Sequence, residues 1–207
     1  MPNKKLKDLI KGVYAGFLIG MGGIVYLSCD NKYIGSFLFS IGLFIICVYG
    51  LNLYTGKIGY FDIHKMRESS IFIIIVWMGN FIGTGFTGIL VNLAGKTKII
   101  DGSTAIILNK INMNGVNILA SSFFCGILMY LAVNTFIKYR ENNQMLGFCA
   151  VFMGVMVFIL SGFDHSIANM FYISCAKAWN ADTIKIILIA TFGNGLGAMF
   201  IRQIGTL

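Results

Sequence analysis

Residues 161–171 read SGFDHSIANMF, preceded by CAVFMGVMVFIL and followed by YISCA. Asp164 and His165 are therefore two adjacent ionisable residues inside an apolar stretch. An imidazole can donate a hydrogen bond in either charge state, or a proton when charged. Such a pair is either satisfied inside a soluble core or set in a membrane, where an ionisable side chain marks function by default. Catalysis with His165 as base would need a nucleophile within reach, and only Ser161 and Ser166 stand beside it. No serine-plus-base or paired-acid constellation recurs, so an intramembrane enzyme is the minor alternative and the chain reads as a non-enzyme. The second histidine, His64, lies in a loop, and no carboxylate or cysteine has ligand spacing. Neither a metal nor another cofactor is expected.

The chain around this pair is 57% hydrophobic and 12% charged, where a soluble domain carries about 25% charged residues. That imbalance makes lipid the solvent. A crossing takes about 20 apolar residues, so 207 residues hold six crossings in one transmembrane domain and no separate soluble one. Apolar runs fall at about 8–29, 33–50, 71–95, 112–137, 143–161 and 183–205. The net charge of +8 would suggest nucleic acid in a soluble protein. Here the cations sit in short gaps, with no basic face interleaved with aromatics, so nucleic acid is excluded as a partner. They report topology instead. Lys4, Lys5, Lys7, Lys11, Lys57, Lys65, Arg67, Lys138, Arg140 and Arg202 fall on one side, and Lys32, Lys96, Lys98, Lys110, Lys177 and Lys185 on the other. This puts both termini in the cytoplasm of a multi-pass protein of the cell (inner) membrane. The first run could pass for a signal peptide. Gly12, Gly16 and Gly20 at four-residue spacing mark it instead as a retained, packed helix. The five cysteines form no metal or disulfide framework.

Two shorter segments, about 56–65 and 165–177, follow polar interruptions, GLNLYTG at 50–56 and SGFDHS at 161–166. A broken backbone at membrane depth must be buried in protein or line a wet cavity. The halves also repeat. GNFIGTGF at 79–86 matches GNGLGAMF at 193–200, and AGFLIG at 15–20 faces SSFFCG at 121–126. Repeats of about 8–95 and 112–205, each with an odd number of helices, are inverted relative to one another. Interrupted helices at matching places in such repeats point to a transport site near the midplane.

GFDHSIANMF resembles the fifth-helix signature of the formate/nitrite transporter family, and NLYTG at 52–56 its second-helix break. WMGNFIG, TFGNGLG and Lys110 in KINM also match, so the resemblance covers essentially the whole chain. It implies an all-α, aquaporin-like protomer with six transmembrane helices, the second and fifth broken, assembled in the bilayer as a homopentamer. Each protomer would pass small monovalent weak-acid anions such as formate, nitrite or hydrosulfide, with a proton-coupled symporter as the alternative. The chain departs from the family pattern at Asp164 (usually Glu), Asn52 (often acidic), Ser174 (commonly Pro) and Gly126 (often Asn, near the pore).

By this resemblance His165 faces the anion at the pore centre and gives it a hydrogen bond or a proton. Thr55 is its partner from the other half. Lys110 attracts the anion from the outer mouth. Asn169 and Asn194 belong to the same centre, and more readily tie broken backbone than touch substrate. Asp164 and Asn52 support the helix breaks. Hydrophobic constrictions fall on Phe39 and Leu43 on the cytoplasmic side and on Leu53, Tyr54 and Phe158 on the outer side. The Tyr54 hydroxyl would stand near the anion.

Overall fold

In a computed structural model of the chain, residues 3–206 are described, and they form helices and short connections. Asparagine starts most of the long helices. Asn3, Asn31, Asn114, Asn143 and Asn180 each accept a backbone N–H of the first turn, beginning α1 (Lys4–Ser28), α2 (Lys32–Val48), α6 (Gly115–Tyr139), α7 (Gln144–Leu160) and α9 (Ala181–Arg202). An asparagine side chain is among the best acceptors for those otherwise orphaned groups. Asn180 and Thr183 complete a reciprocal capping box.

The connections are short, so successive helices alternate in direction. We call the end carrying Lys4 the lower end. α1 ascends, α2 descends, α4 (Met66–Leu93) ascends, α6 descends, α7 ascends and α9 descends. α1 packs on α4, and α6 on α9, while α2 lies against both α1 and α7. α1, α4, α6 and α9 are long and apolar enough to cross a membrane. α2 and α7 have 17 residues each, about 25 Å of helix, short of a hydrocarbon core of about 30 Å.

Each short helix ends in a sharp turn at a glycine with positive φ, Gly50 (58°) and Gly162 (69°), a conformation that disfavours side chains. The chain then re-enters the bundle as α3 (Tyr54–Lys57) and α8 (Ser166–Cys175). The segment expected at 56–65 is largely not α-helical. α3 is a single turn, followed by 3-10 turns at Ile58–Tyr60 and Ile63–Lys65. Gly56 and Gly59 lower helix propensity there, and their missing side chains let the chain lie against Val133 and Tyr130 of α6. Arg202 Nη1 donates to the carbonyls of Gly59 and Phe61, holding the irregular stretch in place.

Residues outside every apolar run form a further helix, α5 (Thr97–Ile111). It lies along the upper end against α8 and α1. Ile99, Ser103 and Ile107 are its buried side, one residue per turn. A search for 20-residue apolar runs passes over a helix that buries one face only.

Candidate functional site

The two breaks are held by two asparagines in the same way. Asn80, on α4, accepts from the Tyr54 N–H at 2.8 Å. Its amide donates to the carbonyls of Gly12 (2.8 Å) and Asn52 (2.9 Å). Asn194, on α9, accepts from the Ser166 N–H at 2.9 Å and donates to the carbonyls of Ser122 and Asp164, both 2.8 Å. Both side chains are fully buried. Each clamp satisfies two carbonyls and one N–H that a helix break would otherwise leave bare in an apolar interior.

These bonds set which residues correspond between the halves: Asn52 with Asp164, Leu53 with His165, Tyr54 with Ser166, and Gly12 with Ser122. Gly16 and Gly126 then correspond as well. A Cβ on Gly16 would lie 2.2 Å from the Asn80 carbonyl oxygen, and one on Gly126 would lie 2.1 Å from that of Asn194. The sequence pairing of AGFLIG with SSFFCG, which sets Gly20 against Gly126, is thus one helical turn out of register. Gly126 is also not a pore position stripped of a polar group, because no side chain fits there.

His165 is the N-cap of α8, and its Nδ1 accepts the Ala168 N–H at 3.1 Å. Its Nε2 lies 3.0 Å from Thr55 Oγ1. With Nδ1 accepting, the neutral ring carries its proton on Nε2 and donates it to Thr55. Both residues are buried, and the imidazole stacks on Phe158 at 5.4 Å. Thr55 lies inside the one-turn α3 rather than capping it. Leu53 holds the cap position without a side-chain bond. Neither Thr55 N–H nor Ile167 N–H, the second amide of each half-helix, has a partner among the described residues.

Lys110, the last basic residue of α5, bonds the Asp164 carboxylate. Its side chain is 13% exposed and that of Asp164 is fully buried. The pair neutralises the charge expected to draw anions at the upper mouth. Asn169 donates to the same Asp164 oxygen at 3.0 Å, and Ser121 Oγ takes the Asp164 N–H. Asp164 thus supports its break through four partners. Asn52 plays the corresponding part, with its amide on Asp8 and its N–H on the Lys11 carbonyl. Asn169 and Asn194, expected at the pore centre, are committed to protein groups around the second break. Both Asn194 amide hydrogens are spent on backbone carbonyls, leaving none for an anion.

The expected constrictions regroup. Phe39 meets Phe158 edge to face at 6.0 Å, so these two form one aromatic layer against His165, toward the upper end. Leu43 is one turn further down α2 and is buried. Leu53 faces the other way, into a lower-end cavity of about 140 Å³ with Ile46, Gly56, Lys57, Val133 and Arg140. That cavity is lined by two cations and no carboxylate. Distance along the chain does not give depth here, because the turns at Gly50 and Gly162 reverse the path. The Tyr54 hydroxyl is also elsewhere than expected, since it donates to the Thr191 carbonyl at 2.9 Å.

Asn80 is not among the residues expected at the site, yet its signal lies in the sequence: both asparagines follow a glycine in the repeated GNxxGxxF motif. Among the described residues no group of three or more potential metal ligands occurs.

A model of the family described as "Formate/nitrite transporter" matches residues 2–206. A formate channel of Haemophilus influenzae is 23% identical over 189 residues, 80% of this chain but 65% of that protein. The chain therefore matches less than two thirds of that relative's length. A nitrite transporter of Salmonella typhimurium is 23% identical, over 98% of this chain and 83% of its own. Among solved structures, a pentameric formate channel with formate bound is similar with a TM-score of 0.78 and 20% identity, covering 98% of this chain and 94% of that one.

Proposed function

The chain belongs to the formate/nitrite transporter family, and from that premise we propose that it is a membrane channel for small monovalent weak-acid anions of the formate, nitrite or hydrosulfide class. The observation that carries this reading is the meeting of Thr55 and His165, one from each break, at 3.0 Å in the buried centre. Broken helices that converge on a polar pair supply backbone N–H groups and partial positive charge where an anion loses its water.

The architecture proposed is one transmembrane domain of six crossings, in two inverted three-helix repeats. The corresponding helices run in opposite directions, and the two asparagine clamps are the repeated feature. The protomer would assemble as a homopentamer, as the similar formate channel does. Large apolar side chains exposed along α4 and α9, Ile74, Phe86, Ile89, Leu188, Phe192 and Phe200 among them, suit lipid or a neighbouring copy. The lower end carries ten Lys and Arg against six above, which supports a cytoplasmic lower end in the cell membrane.

The anion enters the lower cavity under the field of Lys57 and Arg140, then passes Leu53. At the centre it displaces Thr55 from the Nε2–H of His165 and accepts that hydrogen bond, with the unpartnered Thr55 and Ile167 amides in the first turns of α3 and α8. Phe39 and Phe158 close the far side, stripping water and rejecting hydrated cations by dewetting. His165 acts as a hydrogen-bond donor here. Giving up the Nε2 proton entirely would require Nδ1 to gain one, and Nδ1 already accepts from Ala168. Nothing in this cycle makes or breaks a covalent bond, so no enzymatic role is assigned.

Proteoliposomes of purified protein test the reading. Formate, nitrite and hydrosulfide should cross far faster than sodium or chloride. His165→Phe should lower flux about 10- to 100-fold, the worth of one buried hydrogen bond to a charged group. His165→Asn should keep part of the flux with the same pH profile. Absence of anion flux in the intact oligomer would refute the channel, and a profile reshaped by His165→Asn would make the histidine a proton donor.

A further inference from the structure

Tyr54 is anchored at both of its ends. Its N–H is held by Asn80, the clamp on α4. Its hydroxyl donates to the carbonyl of Thr191 on α9, one turn before Asn194, the other clamp. Thr191 is held from α4 as well. Trp77, one turn before Asn80, donates its indole N–H to Thr191 Oγ1 at 3.1 Å. Trp77 and Thr191 occupy corresponding places in the two halves, each three residues before its asparagine, and they touch where the halves meet. Gly195 leaves room for the phenol, since a Cβ there would lie 3.2 Å from Tyr54 Oη. Trp77 is stacked on Phe81, which meets Trp179 edge to face, so the indole is braced in turn.

The arrangement is one-sided. Ser166 corresponds to Tyr54, yet its hydroxyl is buried without a partner among the described residues. The second break has no such anchor at Ser166 and reaches the other half through His165, which meets Thr55.

We propose that Tyr54, Thr191 and Trp77 form a positioning tether that holds the two clamps at one spacing, and that this tether sets the anion size limit at the Thr55–His165 gap. Thr55 follows Tyr54 directly, so freeing the phenol frees the one-turn α3 that carries Thr55. A rigid wall discriminates against an added methyl group, and a yielding one does not. The inference rests on the channel reading above and specifies its substrates: anions of formate size pass in preference to acetate, which carries one methyl group more.

The experiment measures formate and acetate flux in the same proteoliposomes for the unaltered protein, Tyr54→Phe, Thr191→Val and Thr191→Ser. Tyr54→Phe removes only the hydroxyl, and the acetate-to-formate ratio should rise roughly fivefold, the worth of one ordinary hydrogen bond. Thr191→Val removes the acceptor for Trp77 and should raise the ratio too, whereas Thr191→Ser keeps that acceptor and should leave it near the original. A merely structural role would lower both fluxes in proportion and leave the ratio fixed, which overturns the tether. Formate flux with an unchanged ratio in Tyr54→Phe and Thr191→Val overturns the tether alone. No formate flux in the unaltered protein overturns the channel reading, and the tether with it.

Discussion

The break after α2 and the break after α7 have the same scaffold and different charges. In each, a positive-φ glycine turns the chain inward and an asparagine from a long helix takes one N–H and two carbonyls. Beyond that they diverge. The second break places a buried carboxylate, Asp164, under Lys110 and follows it with histidine. The first places a neutral amide, Asn52, and follows it with leucine. The second continues as ten residues of helix, the first as one turn. The repeated parts satisfy backbone, which any broken helix in oil must do. Among the unrepeated parts, His165 faces Thr55 across the gap, which need be built only once.

The strongest test of the shared scaffold is to remove each clamp. Asn80→Ala and Asn194→Ala each strand three buried backbone groups, at about 1–3 kcal/mol apiece, so on the order of 5 kcal/mol is lost in either case. Both should abolish the folded oligomer in detergent, judged by thermal melting and size exclusion. A harmless change at one site and a fatal one at the other would end the equivalence of the breaks.

The charges are the next discriminant. Asp164→Asn leaves the Lys110 ammonium 13% exposed with no counter-ion, a loss of about 3 kcal/mol by analogy with other broken buried pairs. The double change Asp164→Asn with Lys110→Met should recover much of the melting temperature. Removing both charges restores neutrality, as at the first break. A double variant no better than the single one would show that Lys110 does not depend on Asp164.

Glycines give a smaller and sharper comparison. Gly16→Ala and Gly126→Ala press a methyl onto backbone carbonyls at 2.2 and 2.1 Å and should cost about 2 kcal/mol each. Gly20→Ala meets the Thr87 side chain, with the Thr87 Cβ at 2.7 Å, a contact looser than the carbonyl clashes at 2.2 and 2.1 Å, so its loss in melting temperature should be less. Equal losses at Gly20 and Gly126 would favour the sequence register over the structural one.

That register shows where sequence reasoning stops. Glycine spacing on α1 repeats every four residues, so a pairing slipped by one turn looks as good as the true one. Only the carbonyls of Asn80 and Asn194 distinguish Gly16 from Gly20. The Asp164–His165 break was legible because ionisable residues stand out in an apolar run, and so was its partner, because Gly, Asn and Thr interrupt another. The side of each constriction was not, since the turns at Gly50 and Gly162 fold the chain back and separate distance along the sequence from depth. α5 was not legible either, as it buries one face and spans nothing. The charge of Lys110 was legible, but its neutralisation by Asp164 was not. The two are 54 positions apart, and nothing in the spacing joins them.

With Lys110 paired to Asp164, the two mouths differ in field, and this yields the smallest effect. Lys57 and Arg140 line the lower cavity, and the nearest acid to Arg140, Glu141, lies 3.7 Å away and is 80% exposed. An exposed pair of that kind contributes little, so the lower mouth keeps its positive potential. Lys57→Gln should raise the half-saturating formate concentration about threefold when formate is varied at the lower face, and hardly at all from the upper face. A loss of attraction of that size corresponds to roughly 0.6 kcal/mol, reasonable for one partly screened charge. It should fade as ionic strength rises. Vesicles with a known orientation, checked by protease access to a tag at the Asn3 end, separate the two faces. An equal shift from both faces would mean that the Asp164–Lys110 pair does not neutralise the upper mouth, and the asymmetry between the two breaks would then be structural only.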